Sequence, residues 1–241
     1  LFVEARGDLL QPKTGKPQPP APLDGEPLPL DDGGDRRETL ARWLTSPENP
    51  YFTRAIVNRV WANFFGIGLV EAVDDLRATN PASDEKLLAA LCDFTKEQRF
   101  DLKALMRLIL LSETYARSST PLPENHDDRR WFARAYPRRL MAEVLSDAIA
   151  DVTGVPDHYT EILRADGSTE KVTGYEADTR ALELRDSTIK NAFLDTFGRN
   201  AREITCECER SSQPSLVQVL HLSNGTTLND KLAAQAGRIT Q

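Results

Sequence analysis

From Arg36 to Asp75 the chain reads RRETLARWLTSPENPYFTRAIVNRVWANFFGIGLVEAVDD, and its apolar residues recur at helical spacing. Phe52, Ile56, Val60 and Phe64 fall four apart, with Val57, Trp61 and Phe65 in a second row beside them. Two adjacent rows make a face too broad for an exposed helix, so the pattern predicts a central helix over 52–65 closed at Gly66. Before it, Asp35 with Glu38 predicts a capped helix over 36–45 whose inner face is Leu40, Trp43 and Leu44. Ser46-Pro47 and Asn49-Pro50 separate the two, because a residue before proline is pushed out of the helical region.

Further helices follow by the same reasoning. Ser83 opens one with Leu87, Leu88, Leu91, Cys92 and Phe94 inward. Asp101 caps another that is apolar nearly all round, Leu102 to Leu111, and is expected at the centre of a bundle. Arg129–Asp151 predicts helix in two pieces about Tyr136-Pro137, with Leu140, Val144, Ala148, Ile149 and Val152 as its inner stripe. Residues 155–178 lack periodicity and predict a long irregular insertion. Arg180–Arg185 alternates apolar and charged residues and predicts a strand or hairpin element near 179–186. Short helices are expected near 188–197, from Pro214 through His221, and over 226–236. The expected fold is mainly α: an irregular multi-helix bundle over 36–241, read as one domain.

Residues 1–35 hold seven of the 15 prolines and predict an extended arm or linker, with Phe2–Glu4 as a short strand. At 241 residues the chain is long enough for a real core. The formal net charge of −7 argues against a nucleic-acid partner, which needs clustered positive charge. Apolar runs such as Leu108–Leu111 are far too short to span a bilayer. The opening LFVEARGDLLQP has neither a start methionine nor a signal-peptide pattern, so the chain reads as a piece of a longer protein.

Candidate chemistry is sparse. Glu71, Asp74 and Asp75 form an acidic cluster after the central helix, the residue types that serve glycoside hydrolysis or hard metals, although sequence neighbours rarely converge on one atom. Arg59 lies between the apolar rows, and a guanidinium buried there needs a carboxylate; Asp74 or Asp75 is its expected partner, making a polar lock. Cys206 and Cys208 sit in ITCECERSSQPS, where joint burial, a small disulfide ring and ligation of a soft metal all fit the alternating spacing. Cys92 and His221 are further ligands that folding could bring there. His126 and His158 read as exposed, and His221 as a satisfied core histidine. Arg129, Arg130, Arg134, Arg138 and Arg139 are the one basic concentration, expected to pair with Asp127, Asp128 and Glu143. There is no Cys-x-x-Cys-His haem motif, P-loop, dinucleotide or hydrolase pattern, and no cofactor is expected in this chain.

Four stretches together carry a resemblance: NPYFTRAIVNRVWANFFGIGLVEAVDDLRATNPAS, FDLKALMRLILLSETYARSS, YPRRLMAEVLSDAIADVTG and FLDTFGRNAREITCECERSSQPSLVQVLHLSNG. They resemble the planctomycete-specific PSD domain, a family of unknown function, over about Arg36–Leu232. The resemblance implies a place near the C-terminus of a large exported protein, behind a companion domain and a cytochrome c-like module. It implies a periplasmic or cell-surface setting, and there a Cys206–Cys208 bond gains weight. It implies no catalytic residue. The expectation is a non-catalytic structural or interaction module whose partners are other domains of its parent, or a protein or polysaccharide. A hydrolase acting on extracellular polymers and a Cys206/Cys208 redox or metal module are the alternatives.

Overall fold

The computed structural model describes residues 9–23, 25–30, 34–202, 214–238 and 240. The architecture is mainly α with short hairpins. The chain gathers into two compact units, Leu1–Tyr136 and Pro137–Gln241, where the sequence pattern draws one domain over 36–241. No helix among the described residues is long and apolar enough to cross a membrane. The expected strand at Phe2–Glu4 lies outside the described residues.

In the first unit, strands β1 (Leu9–Leu10) and β2 (Pro17–Gln18) pair antiparallel within the proline-rich arm. Helix α1 (Arg36–Leu44) is capped by Asp35, whose side chain accepts from the Arg37 N–H. Helix α2 (Pro50–Phe65) begins at the Asn49-Pro50 pair that the sequence pattern marks as a break. The Asn49 side chain accepts from the Tyr51 and Phe52 N–H groups, and proline suits the first turn, where its missing N–H is not needed. Gly66 closes α2 with φ 83°, a left-handed conformation that favours glycine.

Val57, Val60, Trp61 and Phe65 of α2 are buried with Leu69 and Val70, and Phe132 closes over them edge-on to Trp61 and Phe65. Phe52 is left out of this core and tilts against Phe100. Helix α3 (Glu85–Glu97) adds Leu88, Leu91 and Cys92, and its cap is Asp84, one residue later than the expected Ser83. Helix α4 (Leu102–Leu110), capped by Asp101, buries only Leu105 and Ile109. Leu102 is half-buried, and Leu108, Leu110 and the adjacent Leu111 are exposed, so the expected central position is not found. Nine residues present one stripe to the core, whatever the composition of the rest.

The second unit is built differently. Residues 129–136, at the end of the first unit, and 137–141 are not helical, so the helix in two pieces expected over 129–151 is one helix here, α5 (Ala142–Thr153). Its buried positions are Ala142, Glu143, Ser146, Asp147 and Thr153, whereas Leu140 and Val152 of the expected inner stripe face solvent. The insertion carries an antiparallel hairpin, β3 (Glu161–Leu163) with β4 (Thr169–Lys171), in the register Ile162 opposite Glu170.

The strand expected near 179–186 is instead a 3-10 turn, Ala181–Glu183. Asp147 captures the Ala181 and Leu182 N–H groups at 2.6 and 3.3 Å, and Glu183 folds back on the Arg180 N–H, so no ladder can form. Helices α6 (Ala192–Thr196), α7 (Leu216–Asn224) and α8 (Thr226–Ala233) complete the unit. Its apolar cluster is small: Ala142, Tyr159, Ala181, Leu184, Ile189, Phe193 and Leu194.

Candidate functional site

The expected acidic cluster lies on the turn that leaves α2, and an asparagine positions that turn. Asn58 is wholly buried; its amide donates to the Val70 and Val73 carbonyls at 2.9 and 2.8 Å and accepts from the Val70 N–H at 2.9 Å. Gly68 makes the approach possible, since a Cβ there would stand 2.3 Å from the Val70 oxygen and 2.9 Å from the Asn58 amide. This is the polar knot at the heart of the unit. The pattern that betrays it is an asparagine two turns inside an apolar helix followed by Gly-x-Gly.

Arg59, its neighbour, points outward. Its Nε meets Asp74 Oδ1 at 2.7 Å, the expected pairing, with 46% of the Arg59 side chain and 30% of the Asp74 side chain exposed, so the pair is half-exposed and not sunk in the core. Asp75 pairs with Arg77 instead, at 2.6 Å, and the Arg77 guanidinium holds its carboxyl below the usual carboxylate range. Glu71 accepts from the Gly68 N–H.

Asp74 and Asp75 line a cleft of about 670 Å³ together with Tyr51, Arg54, Arg77 and Glu85. Glu85 is forked by Arg54 at 2.9 and 3.1 Å and also accepts from the Ala82 N–H; both contacts lower its pKa, the arginine more. Asp75 and Glu85 therefore stay ionised and cannot supply a proton near neutral pH.

In the second unit the polar groups turn inward. The Lys231 ammonium, 7% exposed, pairs with Asp157 at 2.9 Å and donates to the Val155 carbonyl at 2.7 Å. The Ser146 hydroxyl donates to the other oxygen of Asp157. Beside this network a cavity of about 250 Å³ is walled by Asp147, Asp157, Tyr159, Asp178, Arg180 and Arg238. Arg180 reaches Asp147 and Asp151, each at 3.4 Å. Burial, first, and the neighbouring Asp157 push the Tyr159 phenol well above its ordinary value, so it remains a neutral wall residue. No sequence signal distinguishes Lys231 from an ordinary surface lysine of an amphipathic helix.

Helix α7 is inverted. Gln218, 7% exposed, faces in, donating to the Thr196 carbonyl and accepting from Arg139. His221 packs edge-on to Phe193 and Phe197 and bonds Thr227 Oγ1 at 3.0 Å, close to the satisfied histidine expected. Leu216, Val217, Val219 and Leu220 point away, Leu216 and Val217 being 73% and 62% exposed. The helix LVQVLHLSN carries no Asp, Glu, Lys or Arg.

The family model of PSD1, proteins of unknown function (DUF1553), matches residues 36–241. The chain belongs to the PSD1 family. No curated protein and no solved structure matches it. In this PSD1 domain Cys206 and Cys208 lie outside the described residues. Cys92 is a buried free thiol inside the first unit, pushed up to about 11 by burial. His126 is exposed beside Asp127, and His158 is exposed. Among the described residues no group of three or more His, Cys, Asp or Glu is placed to hold a metal ion.

Proposed function

We propose that this PSD1 domain is a non-catalytic structural or interaction module of a larger exported, cytochrome-linked protein, set in the periplasm or at the cell surface. The observation that supports a docking role is α7, an uncharged helix that seats itself through Gln218 and His221 and turns Leu216, Val217, Val219 and Leu220 outward. A contiguous exposed apolar face on a soluble domain is an interaction surface by its physics, since covering it removes area from water. The export and cytochrome setting comes from the four quoted stretches.

The test is Val217→Lys with Leu220→Lys in the full-length polypeptide. Loss of α7 docking predicts faster proteolytic release of the domain from its neighbours with little change in the domain's own melting. Unchanged release contradicts the reading.

One observation favours a second reading, a hydrolase acting on extracellular polymers: Asp74, Asp75 and Glu85 line one cleft. That reading predicts release of reducing ends from a polysaccharide, abolished by Asp74→Asn and Asp75→Asn with the fold intact. An inactive wild-type protein on such substrates sinks it.

A further inference from the structure

The proline-rich arm reads QPKTGKPQPPAPL from Gln11 to Leu23, with Lys13 and Lys16 and no acidic residue, in a chain of net charge −7. A plain spacer needs no fixed shape, yet this stretch is braced at both ends. Before the prolines, the Gln11 side-chain oxygen accepts from the Lys13 and Thr14 N–H groups, both at 2.7 Å, and the Gln11 N–H donates to the Lys16 carbonyl at 2.9 Å. Pro17 and Gln18 then pair with β1. Further on, the Leu28 N–H donates to the Pro20 carbonyl at 2.8 Å and the Gly25 N–H to the Pro22 carbonyl at 3.0 Å.

Proline holds φ at about −65°, so a stretch with Pro17, Pro19, Pro20 and Pro22 favours the polyproline II helix, which repeats every three residues. At that period Lys16, Pro19 and Pro22 share one edge, and Gln18 and Ala21 share the next. Lys16, Pro17, Gln18 and Ala21 are exposed, whereas Pro19, Pro20 and Pro22 are half-buried. Pro20, Ala21 and Pro22 border a cleft of about 280 Å³ with Leu28 and with Leu40 of α1, so the arm rests on its unit without being enclosed by it. Among the described residues, the Pro19 and Ala21 carbonyls accept no hydrogen bond and the Lys16 ammonium has no carboxylate within ion-pair distance.

We propose that residues 16–22 are a docking peptide for a partner domain of the SH3 kind, one with an aromatic-lined groove and a carboxylate at one end. Such grooves take Pro-x-x-Pro segments because the preformed helix loses little freedom on binding. Here Gln18-Pro19 and Ala21-Pro22 are the two apolar steps that lie between the rings, one helical turn apart. The free Pro19 and Ala21 carbonyls accept from the N–H and O–H groups that such rings carry. Lys16, three residues before Pro19, meets the carboxylate. The direction of binding follows from charge: Leu23 and Asp24 come after Pro22, so the reversed orientation has no cation at its end. The peptide lies in the first unit and its binding is independent of α7.

The experiment is a calorimetric titration of the intact chain with two isolated SH3 domains, one selecting Lys/Arg-x-x-Pro-x-x-Pro peptides and one selecting the reversed orientation. The expected result is saturable one-to-one binding of the first, tighter than about 1 mM, with the second at least about tenfold weaker. Pro19→Ala with Pro22→Ala should abolish the binding, and Lys16→Glu should weaken it about tenfold, with circular dichroism unchanged in both because the arm is outside the helical core. Val217→Lys with Leu220→Lys should leave it unchanged, which separates this site from α7. No saturable binding of the first domain, or binding that survives Pro19→Ala with Pro22→Ala, overturns the proposal. Equal binding of the second domain overturns it as well, since Lys16 then sets nothing, and so does binding by a peptide of residues 11–23 that the intact chain lacks, since the arm is then held shut against α1.

Discussion

Helix α2 of the first unit buries Val57, Val60, Trp61 and Phe65, whereas α5 of the second buries Glu143, Ser146, Asp147 and Thr153. The contrast extends beyond two helices. The buried polar residues of the first unit, Asn49, Thr53, Asn58 and Thr95, are all uncharged, while the second also buries Asp147 and Lys231. The first is held by apolar area removed from water, a non-directional force that a broad stripe satisfies. The second is held by directed contacts, each of which must be complete, because a buried charge without its partner is costly. Where polar groups take the inward positions, apolar ones are left outside, as on α7.

The largest effect should come from unpairing the second unit's buried ion pair. Lys231→Met leaves Asp157 without its cation and should cost about 3–5 kcal/mol in denaturant unfolding, and Lys231→Met with Asp157→Leu should recover much of that loss. If the single and double variants unfold alike, the pair is not what organises that unit. Leu88→Ala in the first unit should cost about 2–5 kcal/mol through the cavity it leaves, with no second substitution able to restore it by charge.

The next effects separate neighbours on one helix. Asn58→Ala strips three buried hydrogen bonds from the turn after α2 and should cost more than about 2 kcal/mol. Arg59→Ala removes a half-exposed pair and should cost about 0–1 kcal/mol in the same assay. A reversal of that order would return the polar lock to Arg59 and Asp74.

Asp128 adds a pH dependence to the first unit. Burial opposes its ionisation, but the N–H groups of Arg130, Trp131 and Ala133 and the Tyr136 hydroxyl outweigh it and hold the carboxyl well below the carboxylate range. A lowered folded pKa means stabilisation that is complete above the unfolded aspartate value of about 4 and is lost as pH falls towards the folded value. The protection factors of residues 128–136, taken against intrinsic exchange at each pH, should therefore stay high at neutral pH and fall only below about pH 4, and Asp128→Asn should flatten that dependence.

The same comparison explains what could be read from the chain. Helices α2 and α3 were legible because the row Val57, Trp61 and Phe65 and the pair Leu88 and Leu91 are buried as their spacing implies, and Gly66 ends α2 where its position implies. Helix α5 was legible as a helix but not in its orientation, since Leu140 and Val152 outweigh Ser146 and Asp147 in any apolar pattern while hydrogen bonds decide which side is buried. Arg180–Arg185 alternates like a strand, yet one carboxylate from α5 turns it into a 3-10 helix. The carboxylates Glu71, Asp74 and Asp75 were visible as a cluster, but only geometry assigns each a different partner. Asp128, hidden in an acidic loop, has no signal except its place before a run of free N–H groups.

The central claim is that the outward apolar face of α7 is covered in the working protein. Hydrogen exchange over residues 216–224 tests it most directly, comparing the 241-residue chain alone with the larger protein proposed to carry it. Docking predicts markedly slower exchange across α7 in the larger protein, with residues 57–65 of α2 unchanged between the two. Equal exchange of α7 in both would contradict the claim.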